Sequence, residues 1–378
     1  MKILICNRHL STSLGGSEIQ CDLLATYLHQ QGHQVRYAAF EAQEVPSTYP
    51  YAVEPVPRVS IPSVYKLCRR FDPDLLYWRY NRRTFLRIGL LAHLMGICTI
   101  FSVSNPKDVE AHPAYTEVHR PWWTPSGAHR LLRRRAQQLV GRLSYEGFRF
   151  YDGAISLSIN LLHRLPPPPR GPDHRAVIYN SMTDQDVRPF HWPRPYIAWV
   201  ANLKACKNPN HFIDAARALQ DLPVDFLMCG EIQHDQFAFV DDPKNLPPNL
   251  FYLGPRPVDE VNGLLKGALC LAHTCDPEGF GNCFIQAWLQ QTPTVSLHFD
   301  PDELIESRRL GFCSRTPRRF HRHLRQIVDD PKQREAMGRR AQNFARQAFA
   351  PRQNLPQFET FFAEVARAND GSRRWPSS

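Results

Sequence analysis

Ile3-Leu-Ile-Cys6, a polar stretch from Ser11 that closes on Gly15-Gly16, then Ser17 to Gln31, and finally Val35 to Phe40: this is the stretch that decides the fold. The first run is short, apolar and bounded by polar residues, which reads as a buried strand. In the third, Ile19, Leu23, Leu24, Tyr27 and Leu28 fall on one helical face, and Gly32 stops it. Val35 to Phe40 is the next strand. A strand, a glycine-closed loop, a helix and a strand make a right-handed crossover unit, so the sheet is parallel and its ligands lie beyond the carboxyl ends of its strands. Leu75 to Trp78, Thr99 to Val103 and Gly153 to Ser158 continue the theme.

The alternation breaks at Asn180 to Pro195, which is polar and rich in proline, and then restarts. Tyr196 to Val200, Val224 to Cys229, Phe251 to Leu253, Leu269 to His273 and Thr294 to Leu297 read as strands. Pro209 to Leu219, Val258 to Lys266 and Asn282 to Gln290 read as helices. A chain of 378 residues has room for about two domains. The expected fold class is therefore α/β, with two doubly wound parallel-sheet domains facing a cleft, at 1–185 and 186–353. Residues 354–378 form a C-terminal helix and tail, expected to pack back on the first domain. Val177 to Tyr179 closes the first half as a strand. Leu165 to Pro172 is an exposed, proline-stiffened loop near the boundary. Pro331 to Phe349 and Leu355 to Ala368 are the last helices, and the tail from Asn369 is expected to fray.

Composition narrows the classes. Apolar residues make up 43% and charged residues 22%, which excludes a largely disordered chain. The net charge of +10 favours anionic partners without choosing among them. Ten cysteines include no C-x-x-C pair, and the start carries no long apolar signal core, which reads as reduced thiols in the cytoplasm. The most apolar window, Thr84 to Ser104, is interrupted by Arg87 and His93 and split by Gly96. A helix from Phe85 to Met95 followed by a strand from Ile97 to Val103 explains it better than a membrane span.

The chemistry concentrates in Asp276-Pro-Glu-Gly-Phe-Gly-Asn-Cys-Phe-Ile-Gln-Ala-Trp288, which follows a strand and opens a helix. Glycines at 279 and 281 let a ligand approach the backbone, and the free N–H groups of the helix start suit a diphosphate. Glu278 at the mouth can accept hydrogen bonds from sugar hydroxyls, and Gln286, farther along the helix, from a ribose diol. On spacing alone a plain helix cap with tight-turn glycines explains the same residues.

Glu278-Gly-Phe-Gly281, the helix behind it and Gln291-Thr-Pro-Thr-Val295 resemble the donor signature of glycosyltransferase family 4, retaining enzymes of the GT-B fold. The resemblance extends to Gly15-Gly-Ser-Glu18, Ile178-Tyr-Asn180, Val200-Ala-Asn-Leu-Lys-Ala-Cys-Lys-Asn-Pro209, Leu253-Gly254 and Asp330 to Gly338. It implies that Lys207 neutralises the donor diphosphate and Glu278 contacts the transferred sugar, the two catalytic residues. Backbone N–H groups of Phe280, Gly281, Asn282 and Cys283 would hold phosphates and sugar. Gly15 and Gly16 would close over the same diphosphate from the opposite domain, and Gly230 would border the base pocket. The implied reaction moves a hexosyl unit from a nucleotide diphosphate sugar to a glycan or lipid-linked hydroxyl, in polysaccharide or glycoconjugate biosynthesis. Neither metal nor cofactor is implied.

Three positions depart from the family pattern. Asn202 stands where an arginine is usual, with Lys204 as the nearby substitute cation. Gln286 stands where a glutamate is usual. Phe101-Ser-Val-Ser-Asn105 offers Ser104 and Asn105 where many members have a histidine. The first two motivate an alternative: a weakened homologue that binds nucleotide-sugar or acts as a scaffold.

Competing signals are fewer. Asp72/Asp74, Asp184/Asp186 and Asp300/Asp302 have the Asp-x-Asp spacing of a metal-held diphosphate, but the setting of two of them suits turn caps. His321 and His323, among arginines, read as exposed helix. Residues 120–149 hold seven arginines against one glutamate, with Leu132, Ala136, Leu139 and Leu143 in one stripe. That helix either lies on an anionic membrane or packs its leucines on the sheet. Nucleic-acid binding lacks any zinc-finger or base-stacking signature.

Overall fold

The computed structural model describes residues 1–12, 15–110, 139–168, 172–184 and 187–370. They form two units. The first comprises Met1–Tyr179 with Leu355–Ser378, and the second Asn180–Asn354.

In the first unit the strands are β1 (Lys2–Asn7), β2 (Gln34–Phe40), β3 (Ala52–Val56), β4 (Leu75–Trp78), β5 (Cys98–Val103), β6 (Gly153–Ser156) and β7 (Arg175–Val177). They pair in parallel in the order β3-β2-β1-β4-β5-β6-β7. Because side chains alternate along a strand, β1 sends Ile3 and Ile5 to one face and Leu4 and Cys6 to the other. Both faces are buried, as an all-parallel sheet requires. The first is covered by the Gly16–Gln30 helix through Cys21, Leu24 and Leu28, and by the C-terminal helix Pro351–Asp370 through Phe358, Phe362 and Val365. The second is covered by the Ile61–Phe71 and Arg82–Leu94 helices through Val64, Leu67, Phe85 and Ile88.

In the second unit β8 (Tyr196–Val200), β9 (Asp225–Cys229), β10 (Leu250–Tyr252), β11 (Leu271–His273), β12 (Thr294–Ser296) and β13 (Gly311–Cys313) run in the order β10-β9-β8-β11-β12-β13. All pairings are parallel. Trp199, Phe212, Phe226, Met228 and Leu324 pack one face. In each sheet the order reverses once, between β1 and β4 and between β8 and β11. Adjacent strands that send their connections to opposite sides leave a crevice at their carboxyl ends, and that is where open α/β sheets bind ligands.

Several elements differ from the sequence expectation. β3, the Ile61–Phe71 helix and β13 are additions. The closing strand of the first half is Arg175–Val177 rather than Val177 to Tyr179. His321 and His323 do lie on a helix, Pro317–Asp329, but His323 is buried, bonded to Ser314 Oγ at 2.9 Å and stacked on Phe312. Most of the leucine-striped basic helix lies outside the described residues. In its described part Leu139 and Leu143 are 57% and 50% exposed, so those two leucines do not pack on the sheet. No helix among the described residues is long and apolar enough to cross a membrane.

Candidate active site

The second unit's switch point is built by two loops. After β8 the chain runs past Asn202 to a 3-10 turn, Ala205–Lys207, which Asn208 ends in a left-handed conformation (φ 47°) before the Pro209–Ala218 helix. From His273, the last residue of β11, it runs through Thr274, Cys275 and a cis Asp276-Pro277 bond to Glu278, Gly281 and the Asn282–Leu289 helix. Three hydrogen bonds lock the loops together. Thr274 Oγ1 donates to the Lys207 carbonyl at 2.7 Å and accepts from Trp199 Nε1 at 2.9 Å, while Asp276 N–H donates to the Cys206 carbonyl at 3.1 Å.

This scaffold brings the Lys207 ammonium onto Glu278 Oε2, with side-chain exposures of only 20% and 15%. Glu278 Oε1 accepts from the Gly279 N–H at 3.1 Å, and His273 Nε2 faces Oε2 at 3.9 Å. Burial alone would raise the Glu278 carboxyl; Lys207 and then His273 overcome it and hold the group well below the usual carboxylate range. Burial would likewise lower the Lys207 ammonium, and Glu278, followed by the neighbouring thiols, raises it instead. The pair is therefore charged on both sides across the physiological range. Burial keeps His273 lowered, hence neutral near pH 7. The neighbouring Cys275 thiol, with help from Lys204 and Lys207, lowers the Cys206 thiol below its ordinary value against the effect of burial. His273, Cys275 and Glu278 hold ligand-type atoms within 4.8 Å of one another, but the Lys207 ammonium already balances the one carboxylate among them.

The helix mouth has the form a diphosphate site needs. Gly281 sits at φ 84°, and a Cβ there would crowd the Phe284 ring at 3.0 Å. The first N–H groups beyond it have no partner within the helix. Phe280 is buried and packs edge-on against Phe349, with centroids 5.5 Å apart, fixing the loop from beneath. Asn282 Oδ1 accepts from Asn180 Nδ2 at 2.7 Å. Cys283 follows in the first turn, its thiol pushed up to about 12 by burial.

Other singled-out residues have local duties. Asn202 Oδ1 accepts from the Glu231 N–H at 3.3 Å, pinning the β8 loop to the β9 loop. Gly230 lies in the same seam at φ 152°, and a Cβ there would overlap the Ala201 carbonyl oxygen. Lys204 precedes the 3-10 turn, and its carbonyl accepts from the Lys207 N–H at 2.9 Å. Gln286 directs its amide nitrogen to Asn262 Oδ1 at 3.2 Å, which fixes its orientation. Gly15 and Gly16 belong to the first unit, at the start of the Gly16–Gln30 helix, and the Glu18 carboxylate occupies the space a Cβ on Gly15 would need. Ser104 and Asn105 also stand in the first unit, at the end of β5; the Asn105 side chain caps the short helix Pro106–Val109. Of the Asp-x-Asp pairs, Asp74 accepts from the Lys2 N–H and Asp300 from the Ile305 and Glu306 N–H groups. Asp184 pairs with Arg346, and Asp186 lies outside the described residues.

His273, Thr274, Cys206 and Cys275 were not marked as site residues by the sequence reading. The available signal was positional: His273 ends β11, Thr274 and Cys275 follow it, and Cys206 lies in the loop after β8.

Residues 183–344 match the family model for glycosyl transferases group 1. No curated protein matches the chain in sequence. Among solved structures, HepE of Anabaena in complex with UDP and glucose superposes with a TM-score of 0.73 at 17% identity, over 96% of this chain and 100% of that one. Sucrose-phosphate synthase of Thermosynechococcus elongatus gives 0.73 at 12% identity, over 97% and 100%. TarM of S. aureus, in complex with fondaparinux, alpha-GlcNAc-glycerol and UDP, gives 0.69 at 11% identity, over 96% and 99%. The fold is that of the GT-B glycosyltransferases, with two Rossmann-like domains.

Proposed function

We propose, for a chain whose residues 183–344 match the family model for glycosyl transferases group 1, a retaining, metal-independent transfer of a hexosyl unit from a nucleotide diphosphate sugar to a glycan or glycolipid hydroxyl. Assembly of a polysaccharide or glycoconjugate is its setting. The observation that carries this reading is the Lys207–Glu278 pair at the glycine-lined mouth of the Asn282–Leu289 helix.

Breaking the anomeric C–O bond leaves positive charge on the sugar and negative charge on the departing diphosphate. The most effective catalyst is a positive potential fixed in advance where the negative charge grows. Lys207 supplies a full charge held in place by its neighbours, and the helix start supplies oriented N–H groups. Glu278, ionised well below neutrality, accepts hydrogen bonds from sugar hydroxyls and favours the cationic anomeric centre. In a same-face substitution the acceptor hydroxyl attacks from the side the diphosphate leaves, and a phosphate oxygen takes its proton, so no dedicated protein base is required. Gln286, steadied by Asn262, offers its amide oxygen to the ribose.

Incubation with UDP-, GDP- and ADP-sugars, followed for slow hydrolysis of the donor, tests the reading. Turnover of one donor that falls at least a hundredfold in Glu278→Gln supports it. Binding without turnover would favour the scaffold alternative that Asn202 and Gln286 motivate.

A further inference from the structure

The first unit has its own switch point, and a cavity of about 470 Å³ opens there. Asn7 and Arg8 reach it from the end of β1, Arg79 and Tyr80 from β4, and Ser104 and Asn105 from β5. Five basic side chains line it (Arg8, Arg79, Arg82, Arg83 and Lys107) against two acidic ones, Glu18 and Asp108. Both acids are engaged. Asp108 accepts from the Ser104 and Asn105 N–H groups at 3.1 and 3.0 Å, and Glu18 from Ser17 Oγ at 2.9 Å. Arg8 is neutralised by Glu41 at 2.6 Å. No ion pair among the described residues engages Arg82, Arg83 or Lys107.

Arg82 is the most telling. It is 2% exposed, its Nη1 donates to the carbonyls of Asp108 and Glu110 at 2.8 and 2.6 Å, and its guanidinium lies over the Tyr145 ring at 5.7 Å. Among the described residues its Nε and Nη2 are buried without a hydrogen-bond partner, as is Ser104 Oγ. Burying a guanidinium with two nitrogens unsatisfied is costly, and the rigid fork is the shape that recognises a phosphate or carboxylate with two parallel bonds.

We propose that this cavity is an anion-binding subsite for the acceptor, which carries a phosphate or a carboxylate. The inference rests on the transferase reading above, and deepens it by naming the acceptor's class. Excess cationic charge in a concave site also raises the capture rate of such an acceptor, and makes capture fall with ionic strength.

The test titrates the full chain, with UDP saturating the nucleotide site, against four probes: glucose 6-phosphate, glucuronic acid, dodecyl phosphate and methyl glucoside. The expected result is binding of one or more of the charged probes with methyl glucoside inert. Arg82→Gln, and separately the surface pair Arg83→Ser with Lys107→Ser, should weaken that binding at least tenfold while UDP affinity stays unchanged. Glucose 6-phosphate or glucuronic acid as the best probe assigns a soluble or glycan-borne anion, and dodecyl phosphate a lipid phosphate. Equal binding of methyl glucoside, or charged-probe binding indifferent to both variants, overturns the proposal. A parallel loss of UDP affinity in the surface pair would assign the cations to the donor instead. If none of UDP, GDP and ADP binds while glucose 6-phosphate binds in an Arg82-dependent way, the subsite stands and the transferase reading falls.

Discussion

Removing one partner of the Lys207–Glu278 pair should cost the second unit stability as well as activity. Both side chains are largely buried, at 20% and 15% exposure, so Glu278→Ala strands an ammonium in a poorly solvated place. Breaking a buried pair costs roughly 3–5 kcal/mol; with the exposure that remains, the lower end, about 3 kcal/mol, is expected. For a unit of this size, at about 2–4 °C per kcal/mol, that is a fall of roughly 6–12 °C in Tm. The double variant Glu278→Gln with Lys207→Met should recover most of the loss, because it leaves no unpaired charge. The pH dependence has a defined sign. Glu278 is held below its ordinary value near 4.5, so its contribution is complete above that pH and is lost as pH falls from there towards the folded-state value. Differential scanning calorimetry between pH 7 and 3 on wild type and Glu278→Gln reads both effects. An unchanged Tm in Glu278→Ala, or an acid limb identical in Glu278→Gln, would refute the argument.

Gly230→Ala should destabilise the second unit by more than about 2 kcal/mol in urea unfolding, because it combines a φ of 152° with overlap on the Ala201 carbonyl. Cys206 should be alkylated by iodoacetamide with a midpoint below that of an ordinary thiol, while Cys270, buried and pushed up beyond the usual thiol range, stays unmodified in the native protein; peptide mass mapping separates them. Phe362→Ala should cost the first unit about 3–5 kcal/mol, since the ring is fully buried between the C-terminal helix and the sheet and packs on Tyr77 at 5.2 Å. Chemical denaturation of that variant also reports whether the helix at the end of the chain unfolds with the strands at its beginning.

Much of the fold was legible because a parallel sheet buries both faces, so each strand is an uninterrupted apolar run such as Ile3 to Cys6 or Tyr196 to Val200. What escaped has physical reasons. β3 is an edge strand whose Pro55 cannot donate to a ladder and whose Glu54 faces Arg36 and Arg70, so it lacks the apolar signature. The Ile61–Phe71 helix begins with a Ser60 cap and a proline in its first turn, and in one dimension that reads as loop. β13 has three residues and is defined by its neighbour β12 rather than by its own composition. Glycine spacing and charge singled out Lys207 and Glu278, which the fold brings into one ion pair. No local pattern announces that Asn202 Oδ1 accepts from the Glu231 N–H. His273 and the Cys206–Cys275 contact arise from two loops about seventy positions apart, and no local pattern records such a contact.

The measurement that bears most directly on the central claim is calorimetric titration of UDP, GDP and ADP, and of their sugars, into wild type and Lys207→Met. The account predicts that at least one nucleoside diphosphate binds, that its sugar binds as well, and that Lys207→Met weakens both by at least tenfold, or about 1.4 kcal/mol. Nucleotide affinity that is the same with and without the Lys207 ammonium would contradict it.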